Sequence, residues 1–127
     1  MNAAVGAGRR ILVVEDDKTS GESLRDLFVT MGFDVQIVTD GETAVQVVPQ
    51  YLPAFVFMDI GLPGIDGYEA TRQMRREESG RSAVVVALSG YAQRKFEQQA
   101  VDAGMDHFLL KPASLAELNQ VFAMSGG

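Results

Sequence analysis

Polar residues close four separate apolar runs of this 127-residue chain. Ile11-Leu12-Val13-Val14 runs into Glu15-Asp16-Asp17, and Ala54-Phe55-Val56-Phe57-Met58 stops at Asp59. Ala83 to Leu88 ends in Ser89-Gly90, and Phe108-Leu109-Leu110 ends in Lys111-Pro112. The acid pair Asp16-Asp17, the lone acid Asp59, a hydroxyl and a lysine together suit a metal ion and a phosphoryl group. Three converging carboxylates repel one another, and a cation relieves that repulsion. Carboxylates without His or Cys partners favour a hard ion, Mg²⁺ first and Mn²⁺ or Ca²⁺ next. A divalent ion together with Lys111 balances the charge of Asp16, Asp17 and Asp59.

In that setting Asp59 can act as a nucleophile, and its attack on a phosphoryl group gives an aspartyl phosphate. The cation and Lys111 would neutralise the phosphoryl oxygens, which is most of what a protein contributes to such a transfer. Ser89 can donate a hydrogen bond to one of those oxygens. Gly61 has no side chain to shield its backbone carbonyl from a metal, and Gly90 allows the next loop a close approach. Each piece alone has an ordinary structural reading. An acid pair after a strand commonly caps a helix and meets its dipole. Ser89-Gly90 is an ordinary strand-to-helix turn, and Lys111 a surface lysine before a proline. The shared placement of all of them at the ends of apolar runs is what argues for function.

The elements that must position these residues follow from hydrophobic spacing. Apolar runs of strand length alternate with helical patterns. Ile11–Val14, Phe33–Val38, Ala54–Met58, Ala83–Leu88 and Phe108–Leu110 read as strands. Residues 19–31, 42–48, 66–77, 92–103 and 114–124 read as helices. Gly32, Pro49, Gly80 and Gly104 read as stops. Asp66 reads as an N-cap, and Ser114 with Glu117 as a capping box. The third, fourth and fifth runs lack polar alternation, so both their faces should be buried. That is the mark of a parallel sheet covered by helices on both sides. In such open sheets ligands bind beyond the carboxyl ends of the strands, where Asp16, Asp17, Asp59, Ser89 and Lys111 all fall.

The length fits one domain, with 46% hydrophobic and 22% charged residues as in ordinary soluble proteins. Without cysteine, neither a disulfide nor a thiolate metal site can form. A formal net charge of −6 argues against nucleic-acid binding. No apolar stretch has the ~18 residues of a membrane span, and no signal-peptide pattern precedes the first strand. The cytoplasm is the expected location. Residues 1–9 read as a flexible lead, 10–124 as the domain and 125–127 as a tail.

Four segments, Ile-Leu-Val-Val-Glu-Asp-Asp (11–17), Met-Asp-Ile-Gly-Leu-Pro-Gly-Ile-Asp-Gly-Tyr-Glu (58–69), Ala-Leu-Ser-Gly-Tyr (87–91) and Leu-Leu-Lys-Pro (109–112), occur in that order. With them the chain resembles the receiver domains of response regulators in two-component signalling, in the manner of receivers attached to hybrid histidine kinases. The resemblance implies an α/β, flavodoxin-like, doubly wound sheet of five parallel strands in the order 2-1-3-4-5, with helices on both faces. It implies Asp59 as phosphoacceptor, and Mg²⁺, or Mn²⁺, held by Asp16, Asp17, Asp59 and the Gly61 carbonyl. Lys111 would pair with the phosphoryl group, and its bond to Pro112 would be cis. Ser89 and Phe108 would be the switch residues. Phe108 stands where many receivers have Tyr, and plain core packing stays open for it.

The implied donor is a phosphohistidine of a histidine kinase or a histidine phosphotransfer domain. The implied output is a downstream protein reading the face formed by the fourth long helix, the fifth strand and the last helix. The domain would be a monomer or weak dimer. It would not be an enzyme beyond catalysing its own phosphotransfer and autodephosphorylation. His107, the one histidine, reads as structural rather than as a donor. Two other readings stay open. One is a small Mg²⁺-dependent phosphohydrolase with an aspartyl nucleophile, although Gly61 then stands where a second acid is usual. The other is a docking module that takes no phosphate.

Overall fold

The computed structural model describes residues 5–91 and 93–124. The elements run β1 (Arg10–Val14), α1 (Lys18–Thr30), β2 (Asp34–Val38), α2 (Gly41–Tyr51), β3 (Phe55–Asp59), α3 (Gly67–Arg75), α4 (Glu78–Arg81), β4 (Val84–Ser89), α5 (Arg94–Ala103), β5 (His107–Leu110) and α6 (Leu115–Met124). All strand pairings are parallel, and the order is β2-β1-β3-β4-β5. The flavodoxin-like sheet expected from the resemblance is therefore present. Residue 92, expected to open the α5 helix, and the tail 125–127 lie outside the described residues. So do residues 1–4 of the lead; from Gly6 on it is hydrogen-bonded, with Gly6 and Gly8 N–H donating to Met31 and Gly32 carbonyls.

Strand alternation divides the core into two layers. Ile11, Val13, Phe55, Phe57, Val86 and Leu88 pack with Phe28 of α1 and Leu118, Val121 and Phe122 of α6. Leu12, Val14, Val56, Met58, Val85 and Ala87 pack with α2, α3 and α5. Full burial on both faces explains the unbroken apolar runs of β1, β3 and β4. β5 departs from that expectation. As an edge strand it is half-buried, with Leu110 42% exposed.

The helix starts follow local chemistry. Asp17, Asp40 and Asp66 cap α1, α2 and α3, accepting from Ser20, Thr43 and Glu69 N–H. Ser114 and Glu117 form the reciprocal capping box of α6 at 3.0 and 3.1 Å. Two boundaries need correction. α2 continues through Pro49 to Tyr51 instead of stopping at the proline. Pro49 lacks an N–H and so costs the helix one backbone bond without ending it. The stop is Leu52, left-handed at φ 54°, whose N–H returns to the Val48 carbonyl. The helix expected over 66–77 ends at Arg75, and the short α4 follows it.

Candidate functional site

Sheet register decides which side chains meet. Val14 pairs with Met58, Asp59 with Leu88, and Ser89 with Leu110. Glu15 N–H still bonds to the Val38 carbonyl, so β1 stays extended through Glu15 and brings it level with Asp59. Glu15 shares the parity of Ile11 and Val13, Asp59 that of Phe55 and Phe57, and Lys111 that of Leu109. All of these apolar residues face the α1/α6 layer. Ser89 has the parity of Val85 and Ala87, and Phe108 lies with them, on the α2/α3/α5 side.

The contacts follow that division. Lys111 Nζ donates to Glu15 Oε1 at 2.7 Å and lies 3.0 Å from Asp59 Oδ2. Glu15 and Asp59 are buried, 1% and 7% exposed, and the lysine side chain is one-third exposed. Asp59 Oδ1 accepts the Gly61 N–H at 2.9 Å. One oxygen each from Glu15, Asp16 and Asp59 lies within 4.8 Å of the others. The Lys111–Pro112 peptide is cis.

The acid triad differs from the expected one. Asp17 is outside it, because its Oδ2 accepts both the N–H and the hydroxyl of Ser20, at 2.9 and 2.6 Å, as the α1 cap. Those bonds hold its carboxyl below the usual range. Glu15, a residue the sequence reading did not single out, joins Asp16 and Asp59 in the cluster instead. The available signal was alternation: extending Ile11, Val13 by two residues puts Glu15 on the same face.

The buried acids respond to one another. Burial, a hydrogen bond shared with Asp59 and the Asp59 charge push Glu15 up to about 7, against the lowering effect of Lys111. Burial also works to raise Asp59, but hydrogen bonds from Glu15, the Gly61 N–H and Lys111 prevail and hold it below its ordinary value. Burial opposes the Lys111 charge, but hydrogen bonds to Glu15 and Asp59 raise its pKa nonetheless. Three acids and one lysine leave a surplus of two negative charges when all are ionised. An all-oxygen donor set with that surplus fits a hard divalent cation.

Ser89 is fully buried at the same edge, but its hydroxyl faces its own loop. It accepts the Tyr91 N–H at 2.9 Å and donates to the Tyr91 carbonyl at 3.1 Å. Phe108 is half-buried against the α2/α3/α5 core. Beside Lys111 a groove of about 360 Å³ runs between α1 and the β5–α6 connection, lined by Ser20, Leu24, Leu27, Leu88, Pro112 and Ala113 among others. No helix among the described residues is long and apolar enough to cross a membrane.

The model of the response regulator receiver domain family matches residues 11–123. Hybrid signal transduction histidine kinase A of Dictyostelium discoideum is 32% identical over 94% of this chain, which spans 6% of that protein. Sensor protein GacS of Pseudomonas syringae pv. syringae is 36% identical over 88% of this chain and 13% of its own length. The chain thus covers a small part of both relatives. Among solved structures, the receiver domain of sensor histidine kinase PA1611 from Pseudomonas aeruginosa PAO1 superposes with a TM-score of 0.87. It is 34% identical, with 95% of this chain and 100% of that one covered, and has a magnesium ion coordinated in its active-site cleft.

Proposed function

Because this chain belongs to the response regulator receiver family of two-component signalling, we propose that Asp59 is its phosphoacceptor, in a reaction that requires Mg²⁺, with Mn²⁺ as a substitute. The observation that carries the reading is the Lys111 ammonium, held between buried Glu15 and Asp59 with Asp16 beside them. Glu15, Asp16 and Asp59 are the side chains that would hold the cation, with the Gly61 carbonyl as a backbone ligand. The bound ion would neutralise charge on the phosphoryl oxygens.

The donor is a phosphohistidine of a histidine kinase or of a histidine phosphotransfer domain. An Asp59 carboxylate oxygen forms the new bond to phosphorus as the phosphorus–nitrogen bond breaks, and the histidine leaves with the electron pair. The low pKa of Asp59 keeps it an ionised nucleophile. Lys111 pairs with the transferred group, and the same groups catalyse later hydrolysis of the aspartyl phosphate. The modification adds about −1.5 to −2 charge. Ser89 then exchanges its two bonds with Tyr91 for one to a phosphoryl oxygen, and Phe108, on the same side of the sheet, follows the vacated space. The surface formed by α5, β5 and α6 changes and is read by a downstream protein in the cytoplasm. Residues 10–124 form the switching unit, with 1–9 as lead and 125–127 as tail.

Incubation with acetyl phosphate and Mg²⁺, followed by intact-mass measurement, tests the assignment. Wild type should gain one phosphoryl group and Asp59→Asn none. Wild-type uptake by the variant would refute Asp59 as the nucleophile.

A further inference from the structure

The Ser89 loop is tied to α3 through a path that the phosphoacceptor chemistry does not use. Tyr68, buried in the first turn of α3, donates its hydroxyl to the backbone carbonyl of Phe96 in the first turn of α5, at 3.0 Å. The Phe96 ring stacks on Tyr91, with centroids 5.2 Å apart and planes 28° from parallel. Tyr91 in turn holds the Ser89 hydroxyl through both its N–H and its carbonyl.

The two ends of this path are held differently. At one end α3 abuts the strand carrying Asp59. A Cβ on Gly67 would lie 2.5 Å from the Asp59 carbonyl oxygen, and Gly67 N–H reaches the Ile60 carbonyl at 3.3 Å. At the other end Gln93, the N-cap of α5, makes no side-chain cap bond, unlike the caps of α1, α2 and α3. Its first turn is held from outside, by Tyr68.

We propose that the Tyr68 hydroxyl is a positioning group that anchors the first turn of α5 and, through the Phe96–Tyr91 stack, keeps Ser89 turned away from Asp59. This rests on the phosphoacceptor reading given above. Recruiting Ser89 to a phosphoryl oxygen breaks its bonds to Tyr91 and disturbs the stack on Phe96. The anchor therefore favours the resting arrangement, and removing it shifts the population toward the state that binds the phosphoryl group. Tyr68→Phe keeps the ring in the core and deletes only the donor.

The test titrates wild type and Tyr68→Phe with beryllium fluoride in saturating Mg²⁺, followed by amide NMR, and measures amide exchange in the free proteins. The variant should bind several-fold more tightly, with faster exchange at Tyr91 and in the first turn of α5. Tyr91→Ala, at an exposed position, should raise affinity too, and the double variant should gain less than the two added together. Equal affinity and unchanged exchange in Tyr68→Phe would overturn the anchor and leave the phosphoacceptor reading intact. Failure of the wild type to bind beryllium fluoride would overturn that reading instead, while the exchange arm still tests the anchor itself.

Discussion

Glu15 and Lys111 are 96 positions apart in the chain and meet at 2.7 Å, an ion pair whose carboxylate is almost wholly buried. The pair joins the ends of β1 and β5, which are not neighbours in the sheet. Asp59 of β3 completes it. Glu15, rather than Asp17, thus contacts Lys111, and substitutions at the two positions test which of them serves the proposed metal site. Glu15→Gln should weaken Mg²⁺ binding tenfold or more by isothermal titration, because it removes a charge from the donor set. Asp17→Ala should leave that affinity within about twofold and lower the unfolding midpoint through the lost cap. A reversal of these two results would return the metal site to Asp17.

Stability should depend on pH through Glu15. Its folded pKa, about 7, lies above the ordinary 4.5. The folded state therefore binds the proton more tightly than the unfolded chain does. That contribution is complete below 4.5 and is lost as pH rises to about 7, a difference on the order of 3 kcal/mol in the absence of metal. Denaturant unfolding of the metal-free protein should show the decline, and Glu15→Gln should flatten it. An equal decline in the variant would exclude Glu15 as its source.

Metal binding should show the complementary dependence. A cation held by Glu15 displaces its proton, so apparent Mg²⁺ affinity should climb by up to tenfold per pH unit below about 7 and level off above it. Titrations at several pH values check this, and a flat profile from 5.5 to 8 would count against Glu15 as a ligand.

Replacing Lys111 by Met leaves two buried carboxylates without their cation. Asp59 loses a hydrogen bond that lowers its pKa, and Glu15 loses one that restrains its rise. The variant should accept phosphate from acetyl phosphate about 100-fold more slowly, in line with the loss of one charged group at a phosphoryl-transfer centre. It should still bind Mg²⁺. Transfer at the wild-type rate would remove Lys111 from the chemistry.

Arg75 serves the scaffold at the opposite end of the sheet. Its guanidinium donates to the carbonyls of Gly80, Ala83 and Gly104 and to Asp106, whose carboxylate also accepts the Val85 N–H. Arg75→Ala should cost about 2–4 kcal/mol in urea unfolding, since it strands several part-buried acceptors. Arg75→Lys should rescue little, because an ammonium cannot span that fork. Mg²⁺ affinity should be unchanged in both.

Local chemistry was legible in the residues themselves. The unbroken apolar runs of β1, β3 and β4, the caps Asp66 and Ser114 with Glu117, and the glycine after α1 all depend on neighbours a few positions away. So does the placement of Asp59, Ser89 and Lys111 at run ends, which a single strand boundary decides. What required the tertiary structure was anything set by pairing across the sheet. In Glu15-Asp16-Asp17, register with β3 and the parity of β1 select Glu15 for the cluster, while the start of α1 claims Asp17 as its cap. β5 is apolar like its neighbours, yet it is half-exposed because strand order puts it at an edge. Ser89 and Lys111 close adjacent strands, but opposite parity sends one hydroxyl toward Tyr91 and one ammonium toward the acids. The amino-acid pattern determined which groups reach the carboxyl edge of the sheet, because that follows from local periodicity. Which of them touch was decided by the alternation of strand faces and the register between strands, which arise only when distant segments pair.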